Sequence, residues 1–258
     1  VLGILIVSTV FVLFVYVSCH LSILKYFLIK YSFEFIVIIL GILISLLLEQ
    51  NRQNAIEVDR KNNTIRQLVN VIEEDINQID GFLYLQKFSL VSANSILENL
   101  NNKQQMPEDS IVFHLSSVGR ALRSFFPQQG IFDQLVSSDL IKMIESEELK
   151  TKLFKLYNED LRRHDVHTKE YDVFFLDYNY RLSEYFFLQD SWIKTPNAVN
   201  PITIDSYKFN PEYYRSRKVF ADIIESKSNI QSYINELTYL KGIFMNLKTL
   251  CLSEIGEA

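Results

Sequence analysis

The stretch that decides the fold is residues 33–52, FEFIVIILGILISLLLEQNR. Residues 35–48 carry no charge and are broken only by Gly41 and Ser45. Taken alone they are short for a helix that crosses a hydrocarbon core, which needs ~20 apolar residues. Phe33 and Tyr31, as interfacial aromatics, extend the run to an adequate length, and we read 33–48 as a transmembrane helix. The β-branched run at 36–39 would suit a strand, but the flanking sequence supplies neither a partner strand nor a turn. Gly41 and Ser45 lie four apart and so share one helix face. Small residues at that spacing let two helix backbones approach closely in lipid. They are candidates for helix pairing, with the upstream apolar run or with a second copy. Glu34 stands at the entrance beside Lys25 and Lys30, where an acid reaches headgroup water and pairs with a base.

Upstream, residues 1–19 (VLGILIVSTVFVLFVYVSC) also lack a charge and are long enough to span. A secretory signal is the competing reading. Its apolar part is usually ~7–15 residues, with a basic leader and a small-residue cleavage site. Neither feature is visible, so a transmembrane helix is expected at 1–19. The chain opens on Val1, which fits a fragment, a processed product or an upstream extension of the reading frame. Residues 20–32 (HLSILKYFLIKYS) alternate apolar residues with Lys25 and Lys30, as an interfacial helix with snorkelling lysines would. The membrane anchor is therefore 1–48, with one or two transmembrane helices. With a single span, Arg52, Arg60, Lys61 and Arg66 place the following domain inside. With two, Lys25 and Lys30 favour an inside connection and an outside domain.

Downstream, residues 49–64 are a polar stalk without an apolar stripe. From Ile65 the pattern changes. Ile65, Leu68, Ile72, Ile76, Ile79, Leu83, Leu90, Leu97 and Leu100 follow helical spacing, predicting one long helix, with a kink near Gly81. A second helix is expected over 109–126, capped by Asp109. Residues 131–144 read as two short helices with a turn at Ser137-Ser138-Asp139. Acids at 145–148 suit the start of a long helix that runs to 188. Residues 189–209 are expected to be irregular, and no strand pattern stands out. Asn210, Pro211 and Glu212 mark a helix start, with the helix running to 226. In the last helix Ile230, Tyr233, Leu237, Leu240, Phe244, Leu247 and Cys251 alternate at spacings of three and four, an a/d seam. It should pack along the helix that begins at Ile65, and it is a candidate for self-association. The expected fold is all-α: an anchor, a stalk, and a bundle over 65–258 with long antiparallel helices.

Composition agrees. The chain of 258 residues is 48% hydrophobic, with only 7 Gly and 5 Pro, too few for a turn-rich sandwich or for disorder. Net charge is −5, and only Lys25, Lys30 and Glu34 of the charged residues fall before residue 49. An acidic domain binds phosphate poorly, so nucleic acid is not an expected partner. Cys19 and Cys251 form neither a disulfide framework nor a metal-type spacing.

Catalytic signatures are sparse. Asp160, His164 and His167 would share a helix face at spacings of four and three, and His with carboxylate at such spacing can bind zinc or iron. Arg162, Arg163 and Lys169 oppose a cation there, so the reading favoured is a solvated face with no metal and no cofactor. Glu73, Glu74, Asp75 and Asp80 are read as a charged outer helix face. No Glu-x-x-His pair, nucleophile motif or glycine-rich phosphate loop is present. The aromatic run from Tyr171 to Phe187, with Trp192, reads as core, with an apolar ligand pocket or partner surface as the alternative.

Glu34, the run at 38–45 (IILGILIS), the stalk at 49–53 (EQNRQ), the acidic helix at 72–79 (IEEDINQI) and residues 130–158 occur in an order that resembles an uncharacterised family of bacterial membrane proteins, a domain of unknown function. The likeness covers roughly residues 31–158. Where that family has a glycine in its Ser-Gly turn, this chain has Asp139, and residues 1–19 have no counterpart. The resemblance brings no activity, cofactor or catalytic residue. It implies a bacterial inner membrane with the domain on the periplasmic side. Altogether the sequence predicts a non-enzymatic, membrane-anchored interaction protein: a scaffold, accessory subunit or ligand sensor with a protein partner or a second copy. A membrane-bound metal enzyme using Asp160, His164 and His167, and a membrane-perturbing effector or channel component, are the alternatives.

Overall fold

The computed structural model describes residues 2–192 and 202–257, without the side chains of 2–11, 14, 18–24, 28, 191, 192 and 202. Seven α-helices and two short strands follow in the order α1 (Leu2–Leu100), α2 (Glu108–Gly119), α3 (Gly130–Ser137), α4 (Glu147–Lys155), α5 (Leu161–Phe186), β1 (Gln189–Trp192), β2 (Ile202–Ser206), α6 (Pro211–Tyr214) and α7 (Arg217–Glu254). A 3-10 turn, Leu140–Met143, follows α3, and a π-helical turn, Leu156–Asp160, joins α4 to α5. The chain divides into two units, Val1–Asp59 and Arg60–Ala258. The all-α expectation holds for the described residues apart from the two strands.

In the first unit, two spans separated by an interfacial helix were expected. The backbone is instead one uninterrupted helix. No Gly or Pro occurs between Cys19 and Gly41, so nothing in the sequence breaks it. Every side chain from Phe33 to Leu48 is exposed. Among the described residues, one helix is long and apolar enough to cross a membrane, and its most apolar window, of mean hydropathy 2.5, has none of its residues buried. Most side chains of residues 1–19 lie outside the described residues, and Val12, Leu13, Val15, Tyr16 and Val17 are exposed.

The second unit begins about a turn before the expected Ile65. Lys61 and Thr64 are already buried, and Lys61 pairs with Glu254 at 2.8 Å. Helix α1 continues through Gly81 without a break in its hydrogen bonding and ends at Leu100, where Asn102 adopts a positive φ of 58°. Ile65, Leu68, Ile72 and Ile79 are fully buried. The same stripe runs on through Gln86, Ser89, Ser92 and Asn99, all buried polar residues that apolar periodicity does not reveal. Each is hydrogen-bonded. Gln86 donates to the Ala121 carbonyl at 2.9 Å and accepts from the Tyr171 hydroxyl at 2.7 Å. Ser89 donates to the Ser117 carbonyl, His114 meets Ser92, and Asn99 accepts from Tyr214.

The final helix packs antiparallel along α1, as the seam requires. Lys241 pairs with Asp80, Lys248 with Glu73, and Lys61 with Glu254, so partners rise on one helix as they fall on the other. Two expected helices are in fact one, α7, which Ser216 caps by accepting from the Val219 amide at 3.3 Å. The preceding α6 is a single turn capped by Asn210 with Pro211 first, as expected.

Helix α2 and the segment after α5 differ from expectation, while the turn at Asp139 holds. Helix α2 stops at Gly119 and not near 126, and Asp109 lies in its first turn with no side-chain cap. A Cβ at Gly119 would collide with the Asn179 side chain, whose amide donates to the Gly119 carbonyl at 2.9 Å. Beyond it, Phe125 enters the core in non-helical backbone. The turn at Asp139 is present, in left-handed geometry with φ 60°, a conformation that Asp tolerates better than most residues. Finally, β1 and β2 pair antiparallel with Asp190 opposite Ile204, in a segment expected to lack strands. Asp190 is tied to Arg120 at 2.7 Å and to the Ser116 hydroxyl, fastening the pair to α2.

Candidate functional site

The helix-pairing candidates separate into two kinds. Ile230, Tyr233, Leu237, Leu240, Phe244, Leu247 and Cys251 are all buried inside this one chain. The seam therefore builds the bundle core, and its faces are already covered by the chain's own α1 and α5. Gly41 and Ser45 are exposed. Ser45 donates to the Gly41 carbonyl at 2.9 Å, so its hydroxyl is satisfied within its own helix and the small-residue face stays bare.

Asp160, His164 and His167 do not converge. His164 is buried against Tyr233 and Phe125. Its Nδ1 lies 2.9 Å from Glu236 Oε1 and its Nε2 lies 3.1 Å from the Phe125 carbonyl, so neither nitrogen is offered to a metal. The ring is a cross-link that ties α5 to α7 and to the strand-like segment after α2, and Tyr233 reinforces it by accepting from the Phe125 amide at 2.8 Å. His167 is exposed and reaches Glu236 at 3.6 Å. Among the described residues no three His, Cys, Asp or Glu side chains group so as to hold a metal ion.

The acidic cluster is also split. Glu73 and Asp80 pair with α7 on the outside, and Glu74 accepts from Gln128. Asp75, expected on the outer face, is buried at 1% exposure. One carboxylate oxygen accepts from the Gln128 amide at 3.3 Å and the other has no partner. Burial pushes its carboxyl up to about 6. The Tyr157 hydroxyl and the Cys251 thiol, both raised by burial, are its apolar-core neighbours in chemistry: each stays neutral at physiological pH.

Two hollows open on α7. One, of about 350 Å³, lies between α5 and α7 and is lined by His167, Glu170, Phe174, Glu225 and Glu236 over Tyr171 and Tyr233. The other, of about 450 Å³, lies between the end of α4, the π turn and α7. Lys152, Lys155, Thr238, Tyr239, Ile243 and Asn246 surround it, with Asp160 and Gly242 at its wall. Within it the polar groups are mostly engaged. Lys152 binds Glu148 at 2.6 Å and Asn246 at 2.7 Å, and Thr238 donates to the Ile234 carbonyl at 2.7 Å. Asp160 is not so engaged: it is 8% exposed and its Oδ2 has no hydrogen-bond partner. A π turn inserts one residue into a continuous helix and commonly marks a functional position. The turn ends at Asp160, so the helical spacing of Asp160, His164 and His167 is kept, and the partners already engaging His164 are what keep the three from acting together.

The aromatic run of α5 likewise divides. Tyr171, Phe175, Tyr178 and Phe186 are core, as expected. Val166, Val173, Leu176 and Tyr180 form an exposed apolar stripe on the opposite side, with Phe187 exposed just beyond the helix end. The side chain of Trp192 lies outside the described residues. What fold and sites define is a helical bundle domain that follows a long apolar helix. No family model matches the chain, and no curated protein or solved structure is similar to it.

Proposed function

We propose that this chain is a membrane-anchored helical interaction protein that works by binding, as a scaffold, accessory subunit or ligand sensor. The observation that carries the reading is residues 35–48, uncharged throughout and exposed at every position. An apolar surface of that extent is stable only when covered, and a helix with all its backbone hydrogen bonds made internally is suited to lipid. The exposed stripe of α5 supports the interaction half: its spacings of seven, three and four, from Val166 to Tyr180, are those of a helix-pairing seam. The resemblance to a bacterial membrane-protein family supports a bacterial inner membrane with the domain on the periplasmic side.

The test is fractionation followed by topology. After an alkaline carbonate wash the full chain should stay with the membrane pellet, and recovery in the supernatant would sink the anchor. Reporter fusions after Asn54 and at the C-terminus should both be active on the periplasmic side only. Cytoplasmic activity at both sites would reverse the orientation. In cross-linking of intact membranes, Val173→Glu combined with Leu176→Glu should remove a partner or dimer band seen with the unaltered chain.

A further inference from the structure

We propose that the groove beside Asp160 is a binding site for a small apolar molecule carrying a primary ammonium group. The anchored-bundle reading does not need this site, and the two stand or fall separately. Two residues on the groove wall are unfavourable to the fold as it stands. Asp160 keeps a buried acceptor without a partner, which typically costs ~1–3 kcal/mol. Gly242 sits in the interior of a 38-residue helix, where glycine costs ~1 kcal/mol relative to alanine. No packing constraint demands that glycine, since a Cβ built on it meets nothing within 4 Å. Where two local rules are broken side by side without a structural gain, the expected reason is function.

A ligand resolves both. Gly242 leaves the floor open, with Tyr239 and Ile243 as apolar wall and the stems of Lys152 and Lys155 at the edge. A volume of about 450 Å³ is ample for a molecule the size of an aromatic amine. Asp160 lines the groove with a carboxylate oxygen that has no hydrogen-bond partner among the described residues, and a carboxylate only accepts, so the ligand must bring a donor. An ammonium is the strongest donor to a carboxylate and compensates its charge on burial. Lys155 makes no ion pair among the described residues and stands at the rim, placed to meet a carboxylate should the ligand carry one. The same ammonium chemistry thus comes from two sources, a simple apolar amine or an apolar amino acid.

The experiment titrates the full chain in lipid nanodiscs with phenethylamine, L-phenylalanine and 3-phenylpropionate by calorimetry. Phenethylamine, L-phenylalanine or both should bind saturably, and 3-phenylpropionate, which lacks the ammonium, should not. Tighter binding of L-phenylalanine, lost in Lys155→Met, identifies an amino acid; tighter binding of phenethylamine identifies a simple amine. Asp160→Asn should weaken the bound probe about tenfold or more. Gly242→Leu fills the groove and should abolish binding while raising the thermal midpoint. That pairing separates a blocked site from a misfolded chain. Failure of both amines to bind would overturn the proposal. So would equal binding of 3-phenylpropionate, or unchanged binding in Gly242→Leu.

Discussion

Helix α1 holds two apolar stretches of similar chemistry and opposite fate. Over residues 33–48 every side chain is exposed, whereas from Ile65 to Leu83 the apolar residues are buried or half-buried and the charged ones other than Asp75 face out. The difference lies in spacing and not in hydrophobicity. An apolar residue at every position gives a helix that is the same on all sides, and only a surrounding apolar medium covers it. An apolar residue at every third or fourth position gives a stripe, and one antiparallel neighbour, α7, covers it. One helix thus presents two kinds of surface according to its periodicity.

The sharpest way to break this comparison is to place the same acid in each half. Ile72→Asp puts a carboxylate at a position of zero exposure among apolar neighbours, and the bundle should lose more than ~4 kcal/mol or fail to fold. Leu43→Asp should leave the bundle as stable as before but raise the cost of membrane insertion by ~2.5–3.5 kcal/mol. Amide hydrogen exchange of residues 60–257 reads the first effect and carbonate extraction the second. Bundle protection lost in Leu43→Asp would mean that the two halves are not independent.

Next in size is the polar fastening at the start of the bundle. Glu254 accepts from Lys61 at 2.8 Å and from the amides of Glu145 and Ser146 at 2.9 and 3.0 Å, binding three segments at once. Burial alone would raise its carboxyl, but the Lys61 ammonium and the two amides outweigh it and hold it below the ordinary glutamate value. Glu254→Ala leaves a buried ammonium and two amides unpaired and should cost about 3–5 kcal/mol in denaturant titration. Because the folded value is depressed, the contribution of Glu254 is present above the unfolded value of ~4.5 and lost as pH falls through the folded value. Glu254→Gln should therefore show a weaker acid destabilisation than the unaltered chain.

These two regions also mark what the sequence discloses. Apolar periodicity was legible: the stripe from Ile65 and the seam ending at Cys251 lie where their spacing put them, and they meet antiparallel. Polar residues in the core were not. Asp75 read as exterior, and Gln86, Ser89, Ser92 and Asn99 gave no signal, because side-chain type alone says nothing of a partner, yet distant groups such as Ala121, Gln128 and Tyr214 receive them. The end of α2 at Gly119 depends on Asn179, sixty residues away, and so has no local signal beyond the glycine itself. Asp160, His164 and His167 keep their helical spacing, but the partners that engage His164, Glu236 and the Phe125 carbonyl, lie far away in sequence and leave no local signal.

Asp75 carries an effect of opposite sign to that of Glu254, and a smaller one. Its carboxyl is raised by burial to about 6, so the folded state holds the proton more tightly than the unfolded chain does. The stability this contributes is full below an unfolded value of ~3.8 and is lost as pH rises through about 6. Above that, the structure carries a buried charge with one oxygen unpartnered. Asp75→Asn should therefore stabilise the bundle by ~1–2 kcal/mol near neutral pH and make little difference at pH 4. Paired unfolding curves at the two pH values decide it; a variant less stable than the unaltered chain near neutrality would show that the carboxylate is held by more than the Gln128 amide.

The smallest expected effect tests the exposed half once more. Leu43→Ala removes a side chain that is 49% exposed, and Ser45→Ala removes a hydroxyl bonded only to Gly41 of its own helix. In the bundle, Leu→Ala at a fully buried position such as Leu68 should cost ~2–5 kcal/mol because a cavity remains. At Leu43 no cavity forms, and both exposed variants should leave bundle stability within ~0.5 kcal/mol of the unaltered chain. If Gly41 and Ser45 pair helices, Gly41→Leu should reduce cross-linked dimer in the membrane, since a bulky side chain separates the backbones, while Ser45→Ala should not, because alanine keeps the face small. Equal dimer in Gly41→Leu would assign pairing to another surface, and the exposed stripe of α5 is then the face to alter.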